Sequence, residues 1–216
     1  MAPLVTVERP ANGDPEGLLV LHHGRGTDEN DLLGLADALD PAGRLRVVSA
    51  RGPLTVPGWP GFHWYLVPRV GYPDRASFDA AREALGELHD RLWEESGVGP
   101  DRTVLGGFSM GAVMSHAMAW SEDRPAVAGV LALSGFVPTV PGWRPSFEDR
   151  RSTRAFIAHG DADPVIEVGF GRAARDLLVA GGIDVTYRES SVVHTIDPAT
   201  VPVAAGWLVA TVGPAS

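Results

Sequence analysis

Short apolar runs alternate with amphipathic stretches along the whole chain. Leu18-Leu19-Val20-Leu21, Thr103-Val104-Leu105-Gly106, Val130-Leu131-Ala132-Leu133 and Ala155-Phe156-Ile157-Ala158 are short, continuous apolar runs. Runs of this kind suit strands buried on both faces, as in a parallel sheet. Leu4 to Val7, Arg46 to Ala50 and the alternating Asp184 to Arg188 complete the predicted strands. Between them the apolar spacing changes to that of helices. Leu32, Leu35, Ala36 and Leu39 mark a helix from Glu29 to Leu39, with Asp28 as its predicted N-cap. Phe78, Leu85, Leu88 and Leu92 form the apolar stripe of a longer helix from Ser77 to about Glu95, its charges falling on the opposite face. Further helices are predicted over Ala112 to Trp120 and over Arg172 to Ala180, the latter stopped by Gly181-Gly182. Asp197-Pro198 gives an N-cap and first-turn proline for a last helix to about Ala210.

Strands alternating with helices imply a mostly parallel, twisted sheet covered by helices on both faces, an α/β fold. Chemistry in such sheets sits in loops at the carboxyl ends of the strands. Two stretches lose all periodicity, Arg51 to Asp74 and Ser134 to Asp149, and both are rich in Gly, Pro and aromatics. Loops this long in a compact domain tend to be functional.

Composition narrows the picture. The 216 residues, 44% of them hydrophobic, suit one globular domain over residues 1–216. A net charge of -9 argues against nucleic acid and anionic membranes as partners. The basic residues are all arginines, scattered rather than clustered. With no cysteine, a thiol nucleophile, a disulfide and a thiolate metal site are all excluded. Met1-Ala2-Pro3-Leu4-Val5 lacks the charged and apolar regions of a signal peptide, and the apolar stretch around Val127 to Val137 is too short to span a bilayer. A cytoplasmic protein without stable membrane anchoring is expected.

The centre of the chain is Gly107-Phe108-Ser109-Met110-Gly111, a G-x-S-x-G set between a predicted strand and a predicted helix. In that context the pattern is a nucleophile elbow, a sharp turn that lifts a serine hydroxyl clear of the backbone. A serine hydroxyl needs a base, and the base an orienting acid. Of seven histidines, His89 is expected to face solvent, His116 to point away from the elbow tip, His63 to lie near substrate and His159 to be structural. His194 sits in the loop Ser190 to Ile196, between the last strand and last helix, and is the predicted base. His159-Gly160-Asp161-Ala162-Asp163-Pro164-Val165 offers two aspartates, one to shape the turn and one to orient the base. An oxyanion needs two backbone donors. Met110, after the nucleophile, supplies one, and Arg25, in the loop after Leu18 to Leu21, the other. Adjacent His22-His23 invites a metal site, but no further ligands cluster at useful spacing, so neither metal nor cofactor is expected.

Leu21-His22-His23-Gly24-Arg25-Gly26 before Asn30-Asp31-Leu32, Arg51-Gly52-Pro53 leading to Trp64-Tyr65, the elbow, and His159 to Val165 followed by His194 occur in this order along nearly the whole chain. With these motifs the chain resembles the phospholipase/carboxylesterase family of α/β-hydrolases, which includes acyl-protein thioesterases. The resemblance implies a small, metal-free serine hydrolase with little or no lid, in which Ser109 is the nucleophile, Asp163 the acid and His194 the base. Met110 stands where many members carry glutamine, and Val193 where many carry glycine before the histidine.

The expected activity is therefore carboxylic ester hydrolysis through an acyl-enzyme, with a small-molecule ester as partner. Trp59, Phe62, Trp64, Tyr65, Phe136 and Trp143, all in or beside the two long loops, are candidates to wall an apolar acyl pocket. Such a wall without a basic patch favours uncharged short- to medium-chain esters. An acyl thioesterase or lysophospholipase is the alternative within enzymes, and a non-catalytic small-molecule-binding module is the alternative outside them. A homodimer is compatible with the sequence.

Overall fold

A computed structural model describes residues 3–213. Its strands are β1 (Thr6–Arg9), β2 (Gly17–His22), β3 (Leu45–Ala50), β4 (Thr103–Phe108), β5 (Gly129–Leu133), β6 (Arg154–Gly160) and β7 (Asp184–Ser190). They form one seven-stranded sheet in the order β1-β3-β2-β4-β5-β6-β7. Only β1 runs antiparallel to its neighbour; the remaining pairs are parallel. The helices are α1 (Leu33–Leu39), α2 (Arg75–Ser96), α3 (Met110–Ala119), α4 (Val168–Ala180) and α5 (Val201–Val212).

The continuous apolar runs are explained by two cores, one on each face of the sheet. Leu18, Val20, Leu105, Val130, Ala132, Ala155 and Ile157 pack with residues of α2, α3 and α4. Their alternate neighbours Leu19, Leu21, Val104, Leu131, Leu133 and Phe156 pack with α1 and α5. Period-two alternation is present, but both faces are dry, so both sets of side chains must be apolar. Helix α3 is buried at every position, as a helix packed on several sides must be.

The chain moves from β2 outward to β3, then crosses back to β4 on the other side of β2. This reversal opens a crevice at the carboxyl ends of β2 and β4, where ligands bind in open α/β sheets. The loops carrying Arg25 and Ser109 leave the sheet there.

Two helix starts differ from expectation. Asp28 does not cap α1; its carboxylate accepts from the Asn30 amide at 2.9 Å within a separate turn, and the helix begins four residues later. Asp197 likewise accepts from the Ala199 amide at 2.9 Å in a turn that precedes α5. Both side chains bond an amide two residues on, the Asx-turn alternative to a cap. Helix α2 begins at Arg75 rather than Ser77, because Asp74 caps the Ser77 amide at 3.0 Å. His89 is buried in α2, not solvent-facing, with its ring stacked 5.8 Å from that of His22.

Candidate active site

The elbow is built by the close approach of β4 to α3. Ser109 has φ 55 and ψ -118, a conformation that L-residues rarely adopt. Its amide donates to the Leu133 carbonyl at 2.8 Å, tying the strained residue to β5. Any side chain at Gly107 would overlap the backbone of Gly111, and one at Gly111 would overlap the His22 carbonyl. The two glycines are thus required by backbone contacts within the elbow and with β2, not by turn conformation alone.

Strands β6 and β7 pair through Gly160↔Ser190, so their two following loops leave the sheet side by side. One carries Asp163, the other His194. His194 Nε2 lies 2.8 Å from Ser109 Oγ, and its Nδ1 lies 2.6 Å from Asp163 Oδ2. The other carboxylate oxygen, Oδ1, accepts from the amides of Val165 and Ile166 at 2.8 and 2.9 Å. Burial opposes ionisation of Asp163, but the hydrogen bonds from His194 and from these amides outweigh it and hold its pKa below the ordinary value. An ionised, acceptor-only carboxylate fixes His194 with a proton on Nδ1, leaving Nε2 free to accept from Ser109. The His194 ring also packs on Phe108, with centroids 4.9 Å apart.

Asp161 caps no amide among the described residues. It is exposed, and its Oδ2 accepts from the Ser191 hydroxyl at 3.1 Å, joining the two loops. The residue whose carboxylate caps local amides is Asp163 itself. His159 is structural: its Nε2 donates to the Ile166 carbonyl at 2.7 Å, behind the Asp163 loop.

Arg25 and Met110 line the same cleft as Ser109, and neither backbone amide has an acceptor among the described residues. Met110 is the first residue of α3, where helix geometry leaves N–H groups unpaired and the dipole positive. The Arg25 amide belongs to the peptide whose carbonyl is that of Gly24. His23 Nε2 accepts from the Gly52 amide at 2.8 Å, which places its proton on Nδ1, and Nδ1 donates to the Gly24 carbonyl at 2.6 Å. Thr27 Oγ1 donates to the same carbonyl at 3.0 Å. A peptide's N–H points opposite to its C=O, so fastening this carbonyl aims the Arg25 N–H. Burial lowers the His23 pKa, which keeps the ring neutral and able to play both parts.

A cleft of about 390 Å³ opens beside Ser109 and Met110. Its walls are apolar, built by Tyr65, Val67, Phe136, Val165 and Ile166. Among the predicted aromatics, Tyr65 and Phe136 line this cleft. Trp59 does not; it is 53% exposed and lies under the Arg25 guanidinium at 3.8 Å. Phe62 stands under Arg51 instead, at 4.4 Å. Trp64 is fully buried, and its indole donates to the His23 carbonyl at 3.0 Å, so it supports the loop that carries Arg25. Trp143 packs on Phe78 and donates to Ser121, away from the site. His63 is buried and is not a cleft residue. Arg25 and Arg69 also border the cleft, but its exposed lining is almost wholly apolar, so no basic patch faces it. A signal was there for Arg69: it is the sole charged residue between Leu54 and Pro73. Val165 and Ile166 were missed because they sit in the acid's own loop and are not aromatic.

No group of three His, Asp or Glu side chains able to hold a metal ion occurs among the described residues. His22 and His23 have separate partners: His22 Nδ1 pairs with Ser115 Oγ at 2.8 Å, whereas His23 bonds Gly24 and Gly52.

A serine on a strained elbow, a histidine within hydrogen-bond reach of it, a buried aspartate behind that histidine and an α/β-hydrolase sheet beneath them define a serine hydrolase. The sequence model of the phospholipase/carboxylesterase family matches residues 5–211, and the chain belongs to that family. It is 32% identical over 151 residues to acyl-protein thioesterase 1 of Neurospora crassa, a match covering 65% of this chain and 59% of that protein. It is 31% identical over 173 residues to the esterase YpfH of Escherichia coli, covering 78% of this chain and 71% of that one. The crystal structure of the Bacillus cereus carboxylesterase superposes with a TM-score of 0.84 at 24% identity, covering 97% and 95% of the two chains. No described helix is long and apolar enough to cross a membrane.

Proposed function

We propose that the protein hydrolyses small carboxylic esters with short- to medium-chain acyl groups through an acyl-enzyme on Ser109. The observation that carries this reading is the unbroken path Ser109 Oγ, His194, Asp163 at 2.8 and 2.6 Å. His194 Nε2 takes the hydroxyl proton as Oγ bonds to the ester carbonyl carbon. The carbonyl oxygen becomes an oxyanion held by the amides of Arg25 and Met110. The C–O bond to the alcohol then breaks, and the alcohol leaves with the proton from Nε2. Water, deprotonated by the same nitrogen, releases the acid and restores Ser109. Asp163 stays ionised and stabilises the imidazolium in both halves.

The apolar cleft supports an acyl chain rather than a leaving group in that space. His194 must reach the leaving oxygen, yet it forms no part of the cleft wall. A second reading, acyl thioester hydrolysis, is supported by the thioesterase relatives. The mechanism is common to both, because a thiolate leaves by the same route.

Initial rates on oxygen esters and thioesters of matched acyl chains, together with fluorophosphonate labelling, test this reading. The expected result is turnover of the oxygen esters and a label on Ser109 that Ser109→Ala abolishes without loss of fold. A folded protein that is neither labelled nor active would be a binding module, and the reading would fall.

A further inference from the structure

The apolar cleft beside Ser109 has a neighbour, a groove of about 610 Å³ along α4, and the two share the same three walls. The segment 65–73 gives Val70 to the cleft and Gly71 to the groove. The chain after β6 gives Ile166 to the cleft and Phe170 to the groove. The loop after β5 is the third wall, and among the described residues only its Phe136 borders both. Phe136 is buried, and its ring lies tilted against that of Phe170 with centroids 5.3 Å apart. Phe170 in turn packs on Gly71, where a Cβ would come within 2.9 Å of Phe170 Cε1. The Thr139 amide closes the same line by donating to the Gly71 carbonyl at 3.3 Å. The two rings and the Gly71 backbone thus form a partition across one trench. Rings at this separation are in contact, so no methylene chain passes between them.

The backbone that carries Phe136 is held in place. The Ser109 amide donates to the Leu133 carbonyl and the Ser134 amide to the Ala158 carbonyl, both at 2.8 Å. Gly135 lies so close to α3 that a Cβ there would overlap the Ala112 side chain. The Phe136 ring therefore yields only by turning its own side chain, and the Phe170 ring stands in the way. An acyl chain that fills the cleft from Ser109 ends at this partition. Each methylene moved from water into an apolar groove favours binding, whereas carbons beyond the partition stay in water and add nothing. Past the partition the groove offers further apolar side chains, Val137 and the exposed Leu177 among them. We propose that Phe136 sets the upper limit of acyl-chain length, and that the groove along α4 is a second acyl subsite which it closes off. The proposal rests on Ser109 being the esterolytic nucleophile and on the cleft taking the acyl half. It goes beyond that reading by naming the residue that ends the cleft.

The test measures kcat/KM for 4-nitrophenyl butyrate, octanoate and laurate, each below its solubility limit and with enzyme-free hydrolysis subtracted. Wild type, Phe136→Ala and Phe136→Leu are compared, and circular dichroism melts check their fold. Phe136→Leu removes the ring but keeps most of the packing, so it decides the outcome if Phe136→Ala is too unstable to assay. In wild type kcat/KM should not rise from octanoate to laurate. In the variants the laurate-to-butyrate ratio should rise about tenfold, the effect of burying about two more methylenes, with the gain mainly in KM. Adding Ala173→Trp to either variant places a large ring in the second groove from an exposed position of α4, and should cancel the gain. A wild type whose kcat/KM keeps rising from octanoate to laurate would overturn the proposal while leaving the esterase reading intact. So would variants that keep the wild-type ratio, or a gain that survives Ala173→Trp. Absence of turnover on every ester, with Ser109 unlabelled, would remove the esterase reading itself and the proposal with it.

Discussion

Replacing Asp163 by asparagine exchanges one carboxylate oxygen for an NH2 group and removes the charge. In the wild type Oδ1 accepts from two backbone amides and Oδ2 from His194 Nδ1. An asparagine has one acceptor oxygen and one NH2 group. Turning the NH2 towards Val165 and Ile166 would set donor against two donors in a buried site, so the oxygen stays there and the NH2 faces His194. Nδ1 must then accept, the proton moves to Nε2, and Nε2 can no longer take the proton of Ser109. Charge stabilisation of the imidazolium is lost as well. The corresponding change in a serine protease triad costs on the order of 10⁴ in kcat, about 5 kcal/mol of barrier. Stability should change less. The two amides keep an acceptor, and the loss of charge assistance amounts to about 1–2 kcal/mol. For a chain of this size that lowers Tm by about 2–4 °C per kcal/mol. The assay is steady-state hydrolysis of a 4-nitrophenyl ester, with KM and kcat resolved, beside a thermal melt. Asp161→Asn is the control: its carboxylate meets only Ser191, at 3.1 Å and exposed, so both activity and Tm should stay close to wild type. A folded Asp163→Asn enzyme retaining a tenth or more of wild-type kcat would refute the tautomer reasoning, and loss of activity in Asp161→Asn alone would reassign the acid.

His23→Ala should lower kcat by about 10²-fold with little effect on KM, because it frees the Gly24 carbonyl and with it the aim of one oxyanion donor; an unchanged kcat would mean that Arg25 is positioned without it. Gly111→Ala should fail to accumulate as folded protein, or melt far below wild type, because the added carbon overlaps the His22 carbonyl of the adjacent strand; a normal melt would contradict the elbow packing. Stability should fall as pH drops below about 6. Burial pushes the pKa of His89 down to about 3, with Arg124 adding to it, and burial alone takes His116 to about 3. Burial, then His89 and His23, lowers that of His22. Between those folded values and the ordinary histidine pKa the unfolded chain binds more protons than the native one, so unfolding gains about 1.4 kcal/mol per pH unit for each histidine left neutral. Asp163, with its lowered pKa, adds to the loss at the acid end of the same window. Urea midpoints measured from pH 7 to pH 4 check this, and a flat profile would show that these rings are hydrated or paired.

Sequence alone determined the elements of this protein and the identity of its reacting groups. The runs around Leu18, Val104, Val130 and Phe156 had to be strands buried on both faces. A G-x-S-x-G between strand and helix had to turn at Ser109, because only glycine at 107 and 111 leaves room for the approaching backbone. Chain order then pointed to His194 and to the pair Asp161 and Asp163, of which the family resemblance implied Asp163. Local patterns sufficed there because a strand covered on both faces must be a continuous apolar run and a tight elbow must carry glycines, so each leaves its mark in consecutive residues. Where a helix begins was less legible: Asp28 and Asp197 can bond either a helix end or a nearer turn, and the two differ by little energy. The cleft was decided only by tertiary structure. Which of the four candidate aromatics in the segment 51–74 face it depends on how that segment is folded on itself by the Leu54↔His63 bridge and pinned to the loop after β2 by Thr27↔Phe62. That pinning turns Trp64 inward to hold His23 and Tyr65 towards Ser109, though the two are adjacent in the chain. It also brings Arg69 to the same cleft as Arg25, and no sequence pattern records the nearness of residues that is set by one loop packing on another.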